Sequence, residues 1–111
     1  MENLIQKRGT CLIVHLPAEL DHHVTEPIRL QVDRELESGD FRTVAFDFRN
    51  TTFMDSSGIG MIMGRYRMLG YMGGKVSAIH VSDRLLRIMR LSGIHKYIEI
   101  SQEPIWNQKR N

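Results

Sequence analysis

Asp55, Ser56 and Ser57 stand between a run that alternates like a strand and a run that repeats like a helix. All three are good helix N-cap types, because each side-chain oxygen can accept from N–H groups that a first turn leaves unpaired. One cap uses only one of them. If Asp55 or Ser57 caps, Ser56 presents its hydroxyl at the C-terminal edge of a sheet, where open α/β folds bind ligands and partners. A hydroxyl there offers either a nucleophile or a contact for something that docks. A capped helix start with no further role is the competing reading.

Nucleophilic chemistry finds no support in the spacing. A nucleophile elbow carries Gly two residues before and two after its Ser, whereas Met54 precedes Ser56 and Asp55 precedes Ser57 at that distance. Gly58, Gly60 and Gly64 miss the GxGxxG spacing, and Gly73-Gly74-Lys75 is followed by Val76, so no phosphate-binding loop is present. His15, His22, His23, His80 and His95 never pair at i, i+4, and no nearby Cys or Glu completes a metal set. Adjacent His22 and His23 read as surface residues on different sides of a helical turn. Cys11 is the single cysteine, which excludes an intramolecular disulfide framework and any CxxC site. The expectation is no catalytic residue, no cofactor and no metal.

Composition narrows the partners. The 111 residues suit one domain, and 41% hydrophobic content allows a core without staples. A net charge of +2 with no Lys/Arg block argues against nucleic acid. The uncharged internal run Ser56 to Gly64 is about half a membrane span, and Met1 to Lys7 lacks the apolar core of a signal peptide. A cytoplasmic protein that avoids membranes is expected.

The elements that must position the serines can be read from periodicity. Leu4–Arg8 and Cys11–Leu16 read as short strands around Gly9-Thr10. A helix starts within Asp21–Thr25, carries Ile28, Val32 and Leu36 inward, and ends at Ser38-Gly39-Asp40, with Pro27 in its first turn. Thr43–Phe48 alternates as a strand with one strongly apolar face. The helix after the serines places Ile59, Ile62, Met63, Tyr66 and Leu69 on one stripe. Lys75–Ile79 is a strand, Ser82-Asp83 caps a third helix with Leu85, Ile88 and Met89 inward, and Gly93 stops it. Tyr97–Ile100 is the last strand. The fold class is α/β, a mixed four- to five-stranded sheet with helices packed on it. The order is β-β-α-β-α-β-α-β plus a polar C-terminal tail or short helix over Pro104–Asn111, anchored by Ile105 and Trp106. One domain spans residues 1–111, its core about 4–100.

Gly60 and Gly64 each cost about 1 kcal/mol relative to Ala inside a helix, which suggests that something approaches its backbone closely. With the core stripe assigned as above, Met61, Arg65, Met68 and Met72 fall on a second, partly exposed face. Such methionines make an adaptable surface for gripping a partner, or they cover a neighbouring helix or the tail.

Phe53-Met54-Asp55-Ser56-Ser57-Gly58-Ile59-Gly60, followed by Gly64-Arg65-Tyr66, closely resembles the phosphorylation motif of STAS-domain anti-sigma factor antagonists. Glu19-Leu20-Asp21-His22-His23 is similar to that family's acidic loop, and Met89 to Ile94 to the end of its third helix. The similarity runs from about Leu4 to Ile100 and is greatest to the family's sporulation members. Pro17-Ala18 departs from it, standing where the family usually has a Gly, and should stiffen the loop's entry. The resemblance implies a single STAS domain in which Ser56 is the phosphoacceptor of an ATP-dependent anti-sigma kinase. Ser57 is then the cap beside it, and Asp21 belongs to the partner-contacting loop. The partner-binding set it implies is Asp21, Asp55, Ser57, Gly58, Gly60, Met61, Gly64, Arg65 and Met68. Unphosphorylated, such a protein binds the ADP-loaded kinase and frees a sigma factor for sporulation transcription. Phosphorylated, it lets go, and a serine phosphatase resets it. The family's free form is expected to be a monomer.

Three readings follow from the residues and the resemblance together. The first is this phosphorylation-controlled partner switch, which is not itself an enzyme. The second is a STAS module that is never phosphorylated and senses a small ligand or serves as a scaffold. The third is a small hydrolase using Ser56, which lacks a base and an oxyanion motif. Arg84, Arg87 and Arg90 read as a solvated face or as a patch that steers an acidic partner.

Overall fold

A computed structural model describes residues 4–103. The tail expected over Pro104–Asn111, with Ile105 and Trp106, lies outside the described residues. In chain order the elements are β1 (Ile5–Arg8), β2 (Cys11–His15), β3 (Glu19–Leu20), α1 (His22–Ser38), β4 (Thr43–Asp47) and β5 (Phe53–Met54). They continue with α2 (Ser56–Gly70), β6 (Lys75–Ile79), α3 (Asp83–Ser92), a 3-10 turn over Ile94–Lys96, and β7 (Glu99–Ile100).

Five strands form one mixed sheet in the order β1-β2-β4-β6-β7. The β1–β2 hairpin is antiparallel, and every other pair is parallel. From β2 to β7 the chain always steps the same way across the sheet, so right-handed crossovers place all three helices on one face. The packing agrees: Leu12 and Val14, Val44 and Phe46, and Val76 and Ala78 join the buried helix residues in one cluster. Their strand neighbours Ile13, Ala45 and Ile79 form a separate small cluster on the other face. Strand β4 is therefore buried on both faces, Asp47 included, where one apolar face had been expected.

The helix ends follow their capping chemistry. Ser82 accepts from the Leu85 N–H, and Gly93 stops α3 at φ 84°, a backbone angle that costs a residue with a Cβ. Replacing Ser82 by Ala should cost about 1 kcal/mol, read as a fall in the midpoint of thermal unfolding with the circular dichroism spectrum unchanged. Arg84, Arg87 and Arg90 are all exposed, as expected.

Four expectations need correction. Two further strands, β3 and β5, form a separate parallel pair. The last strand is confined to Glu99–Ile100, because Ile94–Lys96 is taken up by the 3-10 turn and Tyr97 closes it. Pro27 lies inside α1, beyond its first turn, because the cap is Asp21 and not a later residue. His22 and His23 do not diverge: their rings lie 4.0 Å apart, tilted against each other, on the exposed start of α1.

Candidate phosphoacceptor site at the paired helix starts

Two residues of β-ladder fix the site. Glu19 pairs with Phe53, and Leu20 pairs with Met54. The next residue on each side is an aspartate, Asp21 or Asp55, and each caps the helix that follows. A parallel register thus starts α1 and α2 side by side, with their positive ends at the same edge. The strand ends are pinned further upstream. The Thr51 hydroxyl donates to the Pro17 carbonyl at 2.8 Å, and the Thr52 N–H donates to the Ala18 carbonyl at 2.8 Å. Pro17-Ala18 therefore enters a loop held by its own carbonyls.

Asp55 carries the most bonds. Its Oδ1 accepts from the Ser57 N–H at 2.9 Å and from the Ser57 hydroxyl. Its Oδ2 accepts from the His22 N–H at 3.1 Å, so one carboxylate ties the first residue of α1 to the first turn of α2. The Ser57 hydroxyl, aided by the two N–H bonds, holds the Asp55 carboxyl below the usual carboxylate range. Asp21 caps α1 by accepting from the His23 N–H at 2.9 Å.

These bonds assign the serines. Asp55 is the cap of α2, so Ser57 is not: its N–H and hydroxyl are both donors to Asp55. Ser56 is the first residue of α2, is exposed, and takes part in none of these bonds. Of the sequence-derived set, Asp21, Asp55, Ser56 and Ser57 come together at this edge.

The rest of the set divides. Gly58 faces inward: a Cβ there would stand 2.6 Å from Met54 Cγ and 3.0 Å from Leu20 Cδ2. Its lack of a side chain seats α2 on the β3–β5 ladder, so it offers no outer surface. Met61 and Arg65, expected to be partly exposed, are 5% and 8% exposed. They lie on the stripe of α2 that contains the buried residues Gly58, Met61, Ile62, Arg65 and Leu69, whereas Ile59, Met63 and Tyr66 are only partly buried. The stripe is rotated from the expected one because α2 packs against α1 as well as the sheet. Met68 is partly buried, and Met72 lies past the end of α2, so the four residues do not form one gripping face. Gly60 and Gly64 have nothing within 4 Å of an added Cβ, so no close neighbour among the described residues explains them.

The α1 side of this contact escaped sequence reading. Arg29 donates to Glu26 and, at 3.1 Å, to Asp33, and Asp33 Oδ1 lies 3.0 Å from Arg65 Nε. The Glu26, Arg29 and Asp33 spacing is visible in the sequence, but its link to Arg65 is tertiary. Among the described residues no group of three or more His, Cys, Asp or Glu could hold a metal ion, and no helix is long and apolar enough to cross a membrane.

Comparison with known proteins agrees with the geometry. The STAS domain profile matches residues 3–107. An anti-sigma F factor antagonist of Paenibacillus polymyxa is 36% identical over 89 residues, covering 80% of this chain and 76% of the relative. The solved structure of the anti-sigma factor antagonist SpoIIAA in its unphosphorylated form aligns with a TM-score of 0.78 at 28% identity, over 86% of this chain and 84% of that one. The phosphorylated form of the Bacillus cell fate determinant SpoIIAA aligns at 0.70, also at 28% identity, over 86% and 87% of the two chains.

Proposed function

The chain belongs to the STAS-domain family, among relatives that are anti-sigma factor antagonists, and we propose that it is an anti-anti-sigma factor switched by phosphorylation at Ser56. Its unphosphorylated form binds an anti-sigma factor serine kinase loaded with ADP, which releases the sigma factor to activate sporulation transcription. The kinase, loaded with ATP, phosphorylates Ser56 and thereby ends the complex, and a serine phosphatase restores it. The free protein is a cytoplasmic monomer. The partner face consists of Asp21, Asp55 and Ser57 at the helix starts, with Gly60, Gly64, Arg65 and Met68 along the α1 side of α2.

One observation carries this reading: Ser56 is exposed at the first position of α2, while its neighbours on both sides are locked to each other. A modifying enzyme can therefore reach the hydroxyl without breaking a bond of the fold. The solved relative known in both unphosphorylated and phosphorylated forms supports it. A phosphoryl group adds about −1.5 to −2 charges at pH 7. At Ser56 it meets the positive ends of two helices, so the fold should tolerate it. It also joins Asp21 and Asp55, and the resulting acidic cluster repels an acidic partner surface.

The test is a release assay. Added to a preformed complex of sigma factor and kinase with ADP, the unphosphorylated chain should free the sigma factor in a gel-filtration profile. The same chain, first incubated with kinase and ATP, should gain one phosphoryl group by mass and free none. Release that is indifferent to phosphorylation would remove the switch.

A further inference from the structure

Ser57, Gly60, Met61, Gly64 and Arg65 share the side of α2 that looks toward α1. Beside Ser57 the two helices leave a cleft of about 250 Å³, lined by Thr25, Glu26 and Arg29 from α1 and by Gly60 and Arg65 from α2, among others. Two features of this cleft are left open by the described residues. Arg65 is 8% exposed, yet its Nη1 is buried without a hydrogen-bond partner. Its Nε lies 3.0 Å from Asp33 Oδ1, an ion pair without hydrogen-bond alignment. A buried guanidinium donor left unpaired is costly, and native structures rarely keep one without a use. Gly60 is the second feature. It weakens the helix, and an added Cβ there would meet no atom of another element within 4 Å among the described residues.

Both residues line the same opening, next to the serine that the kinase must reach. Building on the partner-switch reading above, we propose that a carboxylate side chain of the anti-sigma kinase enters this cleft over Gly60 and that the Arg65 side chain turns toward it to donate from Nη1. Glycine leaves the entrance open. The guanidinium supplies a cationic, planar donor that suits a carboxylate. The local acids leave Nη1 unserved: Glu26 binds Arg29, and Asp33 binds Arg29 through Oδ2 while its Oδ1 faces Arg65 Nε without a hydrogen bond. A phosphate on Ser56 does not serve as the acceptor. Arg65 lies more than two turns along the helix, a rise of about 13 Å at 1.5 Å per residue.

Calorimetric titration of the purified kinase, with ADP, into the full-length chain tests the proposal. Binding of the wild-type chain is the premise, and its absence would overturn the partner-switch reading itself. Gly60→Leu should melt no lower than wild type and bind the kinase at least tenfold more weakly. Arg65→Lys, which keeps the charge but loses the planar donor, should also bind at least tenfold more weakly. In the kinase, one Asp→Asn or Glu→Gln replacement should weaken binding to wild type but add nothing against Arg65→Lys. A natively folded Gly60→Leu chain with wild-type affinity would overturn the docking cleft. A blocked cleft with no kinase acid coupled to Arg65 would overturn the carboxylate and point to a main-chain carbonyl.

Discussion

Ser56→Asp should abolish stable kinase binding, weakening it about a hundredfold or more, while the far-ultraviolet circular dichroism spectrum stays native. By free energy that loss is roughly 2.8 kcal/mol or more, within the range for placing an unpaired charge in a desolvated interface. Nothing in the fold opposes the substitution. Ser56 is exposed, and an acidic side chain in the first turn suits the helix dipole. The penalty is therefore confined to the complex. Ser56→Ala should keep the affinity and accept no phosphoryl group from kinase and ATP. Ser57→Ala separates the two serines. It loses the hydroxyl bond to Asp55 but keeps the backbone N–H bond, so its fold and its phosphorylation at Ser56 should persist. If Ser56→Ala were phosphorylated to the wild-type extent, the acceptor would be another residue and the switch would need a different geometry.

Much of this site was legible in the sequence because capping is local chemistry. Three consecutive cap-type residues ahead of a helical stripe mark the start of α2 within a residue, and Ser82 and Gly93 mark α3 in the same way. The main strands were legible because each is four or five residues of alternation or apolar run. Strands β3 and β5 were not, since two residues show no period. That omission hid the register that places Asp21 beside Asp55, although both aspartates could be singled out. The orientation of α2 was misread for a different reason. One apolar stripe was assumed, but the helix touches both the sheet and α1, so its buried arc extends to Gly58, Met61 and Arg65. Arginine on a buried face can be explained only when Asp33 is known to lie opposite, and that is information about a second helix. Tertiary partners decide such positions, whereas caps and turns declare themselves.

Asp55→Ala should be the most damaging single change at the site that leaves Ser56 in place. It removes the cap of α2, the anchor of Ser57 and the link to the first residue of α1 together. The chain should melt at a lower temperature, and kinase binding and phosphorylation should both fall, because Ser56 loses the fixed first turn that presents it. The effect should depend on pH in a defined sense. The folded carboxyl lies below its usual range, held there first by the Ser57 hydroxyl. A lowered carboxylate pKa contributes stability that is present above the unfolded value, about 4, and is lost as pH falls through the lower folded value. The difference in melting temperature between wild type and Asp55→Ala should therefore hold steady from pH 8 to about 5 and narrow below about 4. Asp55→Asn should fall between the two, since its one carbonyl oxygen cannot serve both Ser57 and His22 as the two carboxylate oxygens do. A difference that stayed constant down to pH 3 would mean that the carboxylate's charge contributes nothing, and that the two helix starts are held by the β3–β5 ladder alone.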